Sequence, residues 1–118
     1  MKELRAFPRL SLSCEIEYKL TNPVAENSPE TIKSNTKDIS SGGICLITYA
    51  PLQPGDIMEL DFKLKGKEFT IKAKGKVIWT QEFEIGNQKG YDNGIEFVEI
   101  SREARTEIEQ YVQNMFSA

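Results

Sequence analysis

From Leu10 to Leu20 the sequence alternates without interruption between apolar and polar residues. Leu10, Leu12, Cys14, Ile16, Tyr18 and Leu20 fall on one side, and Ser11, Ser13, Glu15, Glu17 and Lys19 on the other. A period of two is the signature of a strand with one buried face, so this segment commits the chain to a sheet that covers something. The pattern returns further on: Met58, Leu60, Phe62 and Leu64 alternate up to Lys65-Gly66-Lys67. Phe69, Ile71, Ala73, Val77 and Trp79 then alternate back, which predicts a hairpin with Trp79 on the apolar side. Gly75 falls within that apolar set and suggests a bend or bulge.

Between these segments the punctuation is clear. Residues 21–30, "TNPVAENSPE", form a loop; residues 31–40, "TIKSNTKDIS", read as a strand without a strong apolar face. Gly42-Gly43 precede "ICLITYA", a run that reads as a central buried strand, and Pro54-Gly55-Asp56 make a turn. "QEFEIGNQKGYDN" reads as a polar loop before a last strand, "GIEFVEI". Ser101 is then placed to cap a helix whose apolar stripe is Ala104, Ile108, Tyr111, Val112 and Met115. Six strands and one amphipathic helix predict an all-β barrel or sandwich with the helix packed on it, because closure removes exposed strand edges. The expected organisation is a single domain over residues 1–118. Residues 1–9 would form a flexible arm, 10–100 the barrel and 101–116 the helix.

Composition narrows the function. The net charge is -3 and the pI about 5.1, which argues against a general nucleic-acid binder, since those carry a basic excess. The lysines of the hairpin at 63, 65, 67, 72, 74 and 76 share their face with Glu59, Asp61 and Glu68, and read as a solvated surface. With no histidine and no metal-spaced ligands, a catalytic constellation or a metal site cannot be assembled from this sequence. Cys14 and Cys45 are not in a CxxC pair and read as small buried hydrophobes, although a disulfide between them stays open at this level. No apolar run approaches the roughly 20 residues of a membrane helix, and a cytoplasmic protein without membrane insertion is the expectation.

Two short motifs remain. "RAFPR" places Arg5 and Arg9 four residues apart ahead of the first strand, and "DISSGG" carries Asp38, Ser40, Gly42 and Gly43 ahead of the buried run. Each is weak alone. Together, Arg5-x-x-x-Arg9 followed by Asp38-x-Ser40-x-x-Gly43 resembles the bipartite signature of the PilZ domain family, and "GKVIW" and "GIEFVEIS" are similar to later segments of that family. The resemblance implies a six-stranded antiparallel Greek-key barrel with a C-terminal helix. It also implies a receptor, not an enzyme, for the bacterial second messenger cyclic di-GMP, with an effector protein as partner and no cofactor. The binding set it implies is Arg5, Arg9, Asp38, Ser40 and Gly43, with Gly42 beside them.

The chemistry fits. Arginine can fork onto phosphate, bond guanine O6 and N7, or stack on a base. A carboxylate at Asp38 can accept from both donors of guanine's Watson–Crick edge, which adenine lacks. Ser40 could bond the ligand or brace its own turn. Gly43 would serve by positive φ or by permitting close approach. Binding would order the arm and change a surface that a partner reads. A family member acting as a nucleotide-independent adaptor is the alternative, and either could be a monomer or a dimer.

Overall fold

The computed structural model describes residues 10–21 and 31–117, with side chains to residue 115. Seven strands are followed by one helix: β1 (Leu10–Ser11), β2 (Glu15–Leu20), β3 (Ile32–Ile39), β4 (Gly43–Thr48), β5 (Ile57–Phe62), β6 (Ile71–Ile85), β7 (Gln88–Ile100) and α1 (Arg102–Ser117). All pairings are antiparallel, in the order β1-β3-β2-β5-β6-β7-β4, and β3 also pairs with β4. That last pairing closes six strands into a barrel, with β1 as a short seventh strand on β3.

The alternation of residues 10–20 is realised, but in two pieces. The regular ladder is interrupted at residues 12–14, where the Thr36 hydroxyl adds to the backbone bonds from Leu12 N to Lys37 O and from Thr36 N to Cys14 O. Its Oγ1 donates to Leu12 O at 2.8 Å and accepts from Cys14 N at 3.0 Å. Ile16, Tyr18, Ile39, Ile44, Leu46, Met58, Leu60, Phe62, Val77, Ile95 and Phe97 fill the barrel. Ser101 caps α1 as expected, its Oγ accepting from Ala104 N at 3.0 Å. Ile108, Tyr111 and Val112 of the helix join the core, while Met115, counted in the predicted stripe, is exposed. Tyr111 Oη donates to Lys65 O at 2.8 Å, so α1 spans from the β5–β6 turn to the β3–β4 turn and covers that end of the barrel.

Three sequence expectations need correction. The polar loop expected at residues 81–93 is strand: β6 and β7 continue into it as a ribbon that turns at Gly86, where φ is 61°. Toward its tip the ribbon is paired but solvated, whereas Tyr91, Asp92 and Asn93 also pair with β4, and Asn93 is buried with its amide donating to Leu46 O and Thr48 Oγ1 at 3.0 Å each. Phe69 precedes β6 in the turn region and is 38% exposed, outside the core-facing set. Trp79 is 46% exposed, because Val77 pairs with Ile95 while Trp79 pairs with Gly94. Ile78 is therefore an extra residue on β6, and such a bulge reverses which face the following side chains occupy. A matching irregularity lies beside Gly75, but its extra residue is Val98, on β7. Gly75 is required for packing: a Cβ there would sit 2.5 Å from Ile95 Cγ2 and 3.0 Å from Leu60 Cδ1.

Candidate functional site

The position of Asp38 follows from a bulge. Thr36 pairs with Leu46 and is buried inside, and regular alternation would send Asp38 inward as well. The register slips so that Asp38 pairs with Cys45, leaving Lys37 as the extra residue and turning Asp38 to the outer face. Lys37 Nζ then bonds Asp92 Oδ2 at 3.1 Å, tying β3 to β7 across β4. That bond holds the Lys37 amine above its ordinary range.

Two neighbouring rows across the sheet define the wall. The inner row is Leu10, Ile39, Ile44, Ile95 and Val77, entirely apolar. The outer row is Ser11, Asp38, Cys45, Gly94 and Trp79. Directly opposed residues share a face, so the half-buried carboxylate and the half-exposed indole belong to one surface. Trp79 lies flat over Gly94: a Cβ there would collide with indole Nε1 and Cε2. Two strand spacings, about 10 Å, separate Gly94 from the strand of Asp38.

Residues 40–43 form a braced turn. Ser40 is 1% exposed, and its Oγ accepts from Gly42 N at 3.1 Å and Gly43 N at 3.2 Å. The same hydroxyl lies 3.3 Å from Gly43 O, and Ser40 N donates to that carbonyl at 2.9 Å. Of the two roles open to Ser40, bracing is the one this geometry fills. Phe97 N of β7 donates to Gly42 O at 3.0 Å, and Arg105 Nη1 of α1 donates to Ser41 O at 2.9 Å. Gly43 does not have positive φ; a Cβ on it would strike Ile95 O, so its lack of a side chain admits the backbone of β7.

Of the residues expected to bind, Asp38, Ser40, Gly42 and Gly43 come together at this turn. Arg5 and Arg9, with Phe7 between them, lie outside the described residues. The described chain starts at Leu10, which pairs with Ile39, so β1 enters directly beside the turn. Sequence reasoning missed Arg105, for which a single arginine on a helix gives no signal. It also misplaced Trp79, for which there was one: Val77-Ile78-Trp79 are three consecutive apolar residues, and a regular strand cannot turn all three inward. Cys14 and Cys45 are both buried, and no disulfide joins them. Burial raises the Cys14 thiol's pKa, partly offset by hydrogen bonds with the Lys65 backbone and Thr36.

Comparison with known proteins gives the same architecture. The profile of a domain family, the PilZ domain, matches residues 3–114. No curated protein matches the chain in sequence. Among solved structures, the chain is similar to the Bacillus subtilis inhibitor of motility, MotI/DgrA, with a TM-score of 0.78 and 18% identity over 98% of this chain and 53% of that one. It is similar to the PilZ domain of YcgR from Escherichia coli with c-di-GMP, with a TM-score of 0.73 and 16% identity over 98% and 93% of the two chains. The K. pneumonia MrkH–c-di-GMP complex is matched with a TM-score of 0.67 and 16% identity over 98% and 54%. The chain thus spans about half the length of MotI/DgrA and MrkH.

Proposed function

Because the chain belongs to the PilZ domain family, we propose that it is a receptor for cyclic di-GMP, and that ligand binding orders residues 1–9 against the barrel wall. The observation that carries this reading is the outer row. It gives one face a carboxylate suited to guanine's donor edge, and an exposed indole suited to a base face. Ser11 of β1 stands next to Asp38, so Arg5 and Arg9 are tethered within a few residues of that face. The ligand's two phosphodiesters would take the arginines, and its guanines would take Asp38 and Trp79.

In this reading Ser40 and Gly43 act indirectly. They hold the turn that follows Asp38, so the barrel half of the site is formed before ligand arrives, which lowers the ordering cost of binding. The remaining cost falls on the arm, and its closure would present a different surface to an effector protein.

Isothermal titration with cyclic di-GMP tests the proposal. Truncating one member of a desolvated charged pair costs about 2–5 kcal/mol, at about 1.4 kcal/mol per tenfold, so Arg5→Ala, Arg9→Ala and Asp38→Ala should each weaken binding roughly thirtyfold or more. Trp79 is the chain's one tryptophan, and its fluorescence should respond to ligand in the same titration. Affinities unchanged by all three substitutions would overturn the site; no binding by the wild-type chain would leave the nucleotide-independent adaptor.

A further inference from the structure

Beyond Val77 the two sides of β6 are unlike. On one side β7 pairs with it to the turn, ending at Ile85 opposite Gln88. On the other side β5 pairs only as far as Lys76, after which Gly55 N donates to Val77 O and Val77 N donates to Asp56 O. Among the described residues nothing pairs with that edge of residues 78–85. An uncovered strand edge is a template for another strand.

The side chains along this edge choose among possible partners. Trp79, Gln81, Phe83 and Ile85 alternate on the outer face, and Ile85 is 74% exposed. The aromatic pair rests on glycines: Trp79 over Gly94, and Phe83 over Gly90, where a Cβ would lie 2.5 Å from Phe83 Cζ. Thr80, Glu82 and Glu84 alternate on the opposite face. We propose that this edge pairs antiparallel with the same edge of a second copy of the chain, in a register centred on Gln81.

Charge selects that register. Centred on Glu82, the ladder would set Glu82 against itself; centred on Phe83, it would set Glu82 against Glu84, and like charges directly opposed are destabilising. Centred on Thr80, it would run into the part of β6 already held by residues 55 and 56 within three residues of the axis. Centred on Gln81, it pairs Ile78 with Glu84, Trp79 with Phe83 and Thr80 with Glu82, each twice. The two Gln81 amides meet at the axis, where each can donate to and accept from the other. Each copy then presents an aromatic cross-strand pair on the outer face, in line with Asp38 and Cys45. The two glutamates that guard the edge against other registers find no like charge in this one.

The test needs no ligand and stands apart from the nucleotide reading. Sedimentation of the full chain at roughly 100 µM should show a dimer, and Gln81→Lys, which sets two ammonium groups at the axis, should raise the dissociation constant at least about tenfold. Gln81 is exposed, so the circular dichroism of the variant should match wild type. Gln81→Cys should form a disulfide-linked dimer on mild oxidation, and Lys67→Cys, on the turn at the barrel's other end, should not. A wild-type chain that sediments as a monomer, or equal crosslinking of the two cysteine variants, overturns the proposal. So does protection from hydrogen exchange, in a monomeric sample, of the amides of Thr80, Glu82 and Glu84, the alternate set directed away from β7, since the edge would then be covered by the chain's own residues.

Discussion

The two ends of the barrel are finished in opposite ways. At one end α1 lies across the opening, and the turn at residues 40–43 is held by three separate elements: its own Ser40, Phe97 N of β7 and Arg105 of α1. At the other end β6 and β7 run on past their neighbours as a ribbon, with exposed Ile78, Trp79 and Ile85 and an edge that no described residue pairs. The same two strands therefore serve as barrel wall and as free-standing ribbon. What differs is the neighbour: β5 stops at Ile57, opposite Lys76, and β4 stops at Thr48, opposite Tyr91, so beyond both only the β6–β7 pairing remains among the described residues. Bonded polar groups tie one end together; an edge that no described residue pairs leaves the other open to the association proposed above.

That contrast can be broken most sharply at Gly43. Gly43→Ala drives a Cβ into the Ile95 carbonyl, a backbone atom that cannot step aside, and should destabilise the chain by about 3 kcal/mol or more in urea unfolding. Gly66, with φ at 87° and open space where its Cβ would be, is the control: Gly66→Ala should cost about 1–2 kcal/mol, from backbone strain alone. Next in size is Ser40→Ala, which leaves the Gly42 and Gly43 amides without their acceptor and should cost about 1–3 kcal/mol, with faster exchange at those amides.

Arg105→Met should cost about 1 kcal/mol and act locally, quickening exchange around Ser41 while leaving the ribbon amides as they were. Alkaline pH probes the helix-covered end by another route. Burial raises the pKa of Cys14, Tyr18 and Tyr111, so folding favours their neutral forms. Stability from these groups is complete below their ordinary values of 9.0 and 10.0 and is lost as pH rises through the folded-state values. Urea midpoints measured in pH steps should begin to fall near the Cys14 value, and Cys14→Val should delay the fall to the tyrosine range. At the ribbon end the expectation is near silence: Ile85→Thr should stay within about 0.5 kcal/mol of wild type.

Much of this was legible in the chain itself. Alternation in residues 10–20 and 58–64 located strands because a half-buried sheet imposes a period of two, and Ser101 announced the helix because its hydroxyl caps a free amide. "RAFPR" and "DISSGG" indicated the family, and the second of them supplies the barrel half of the proposed site. Where alternation failed as a guide, a bulge or a missing neighbour was responsible. Ile78 moved Trp79 from the predicted inside to the outside, and Lys37 moved Asp38 outward. Residues 81–93 read as loop because they are polar, yet the tip of a ribbon with water on both faces has no reason to be otherwise, and the buried Asn93 is polar because its amide bonds Leu46 O and Thr48 Oγ1.

Sequence by itself determined that the chain forms strands, where most of them begin, how the helix starts, and which acidic, hydroxyl and glycine residues gather near one turn. These are local properties, set by side-chain period and by the bonding of neighbours a few residues apart. Only the tertiary structure decided which face Asp38 and Trp79 occupy, why residue 43 must be glycine, and that β6 outruns β5. Each of those depends on how many residues one strand sets against another far away in the sequence, and a single extra residue in that register reverses the answer.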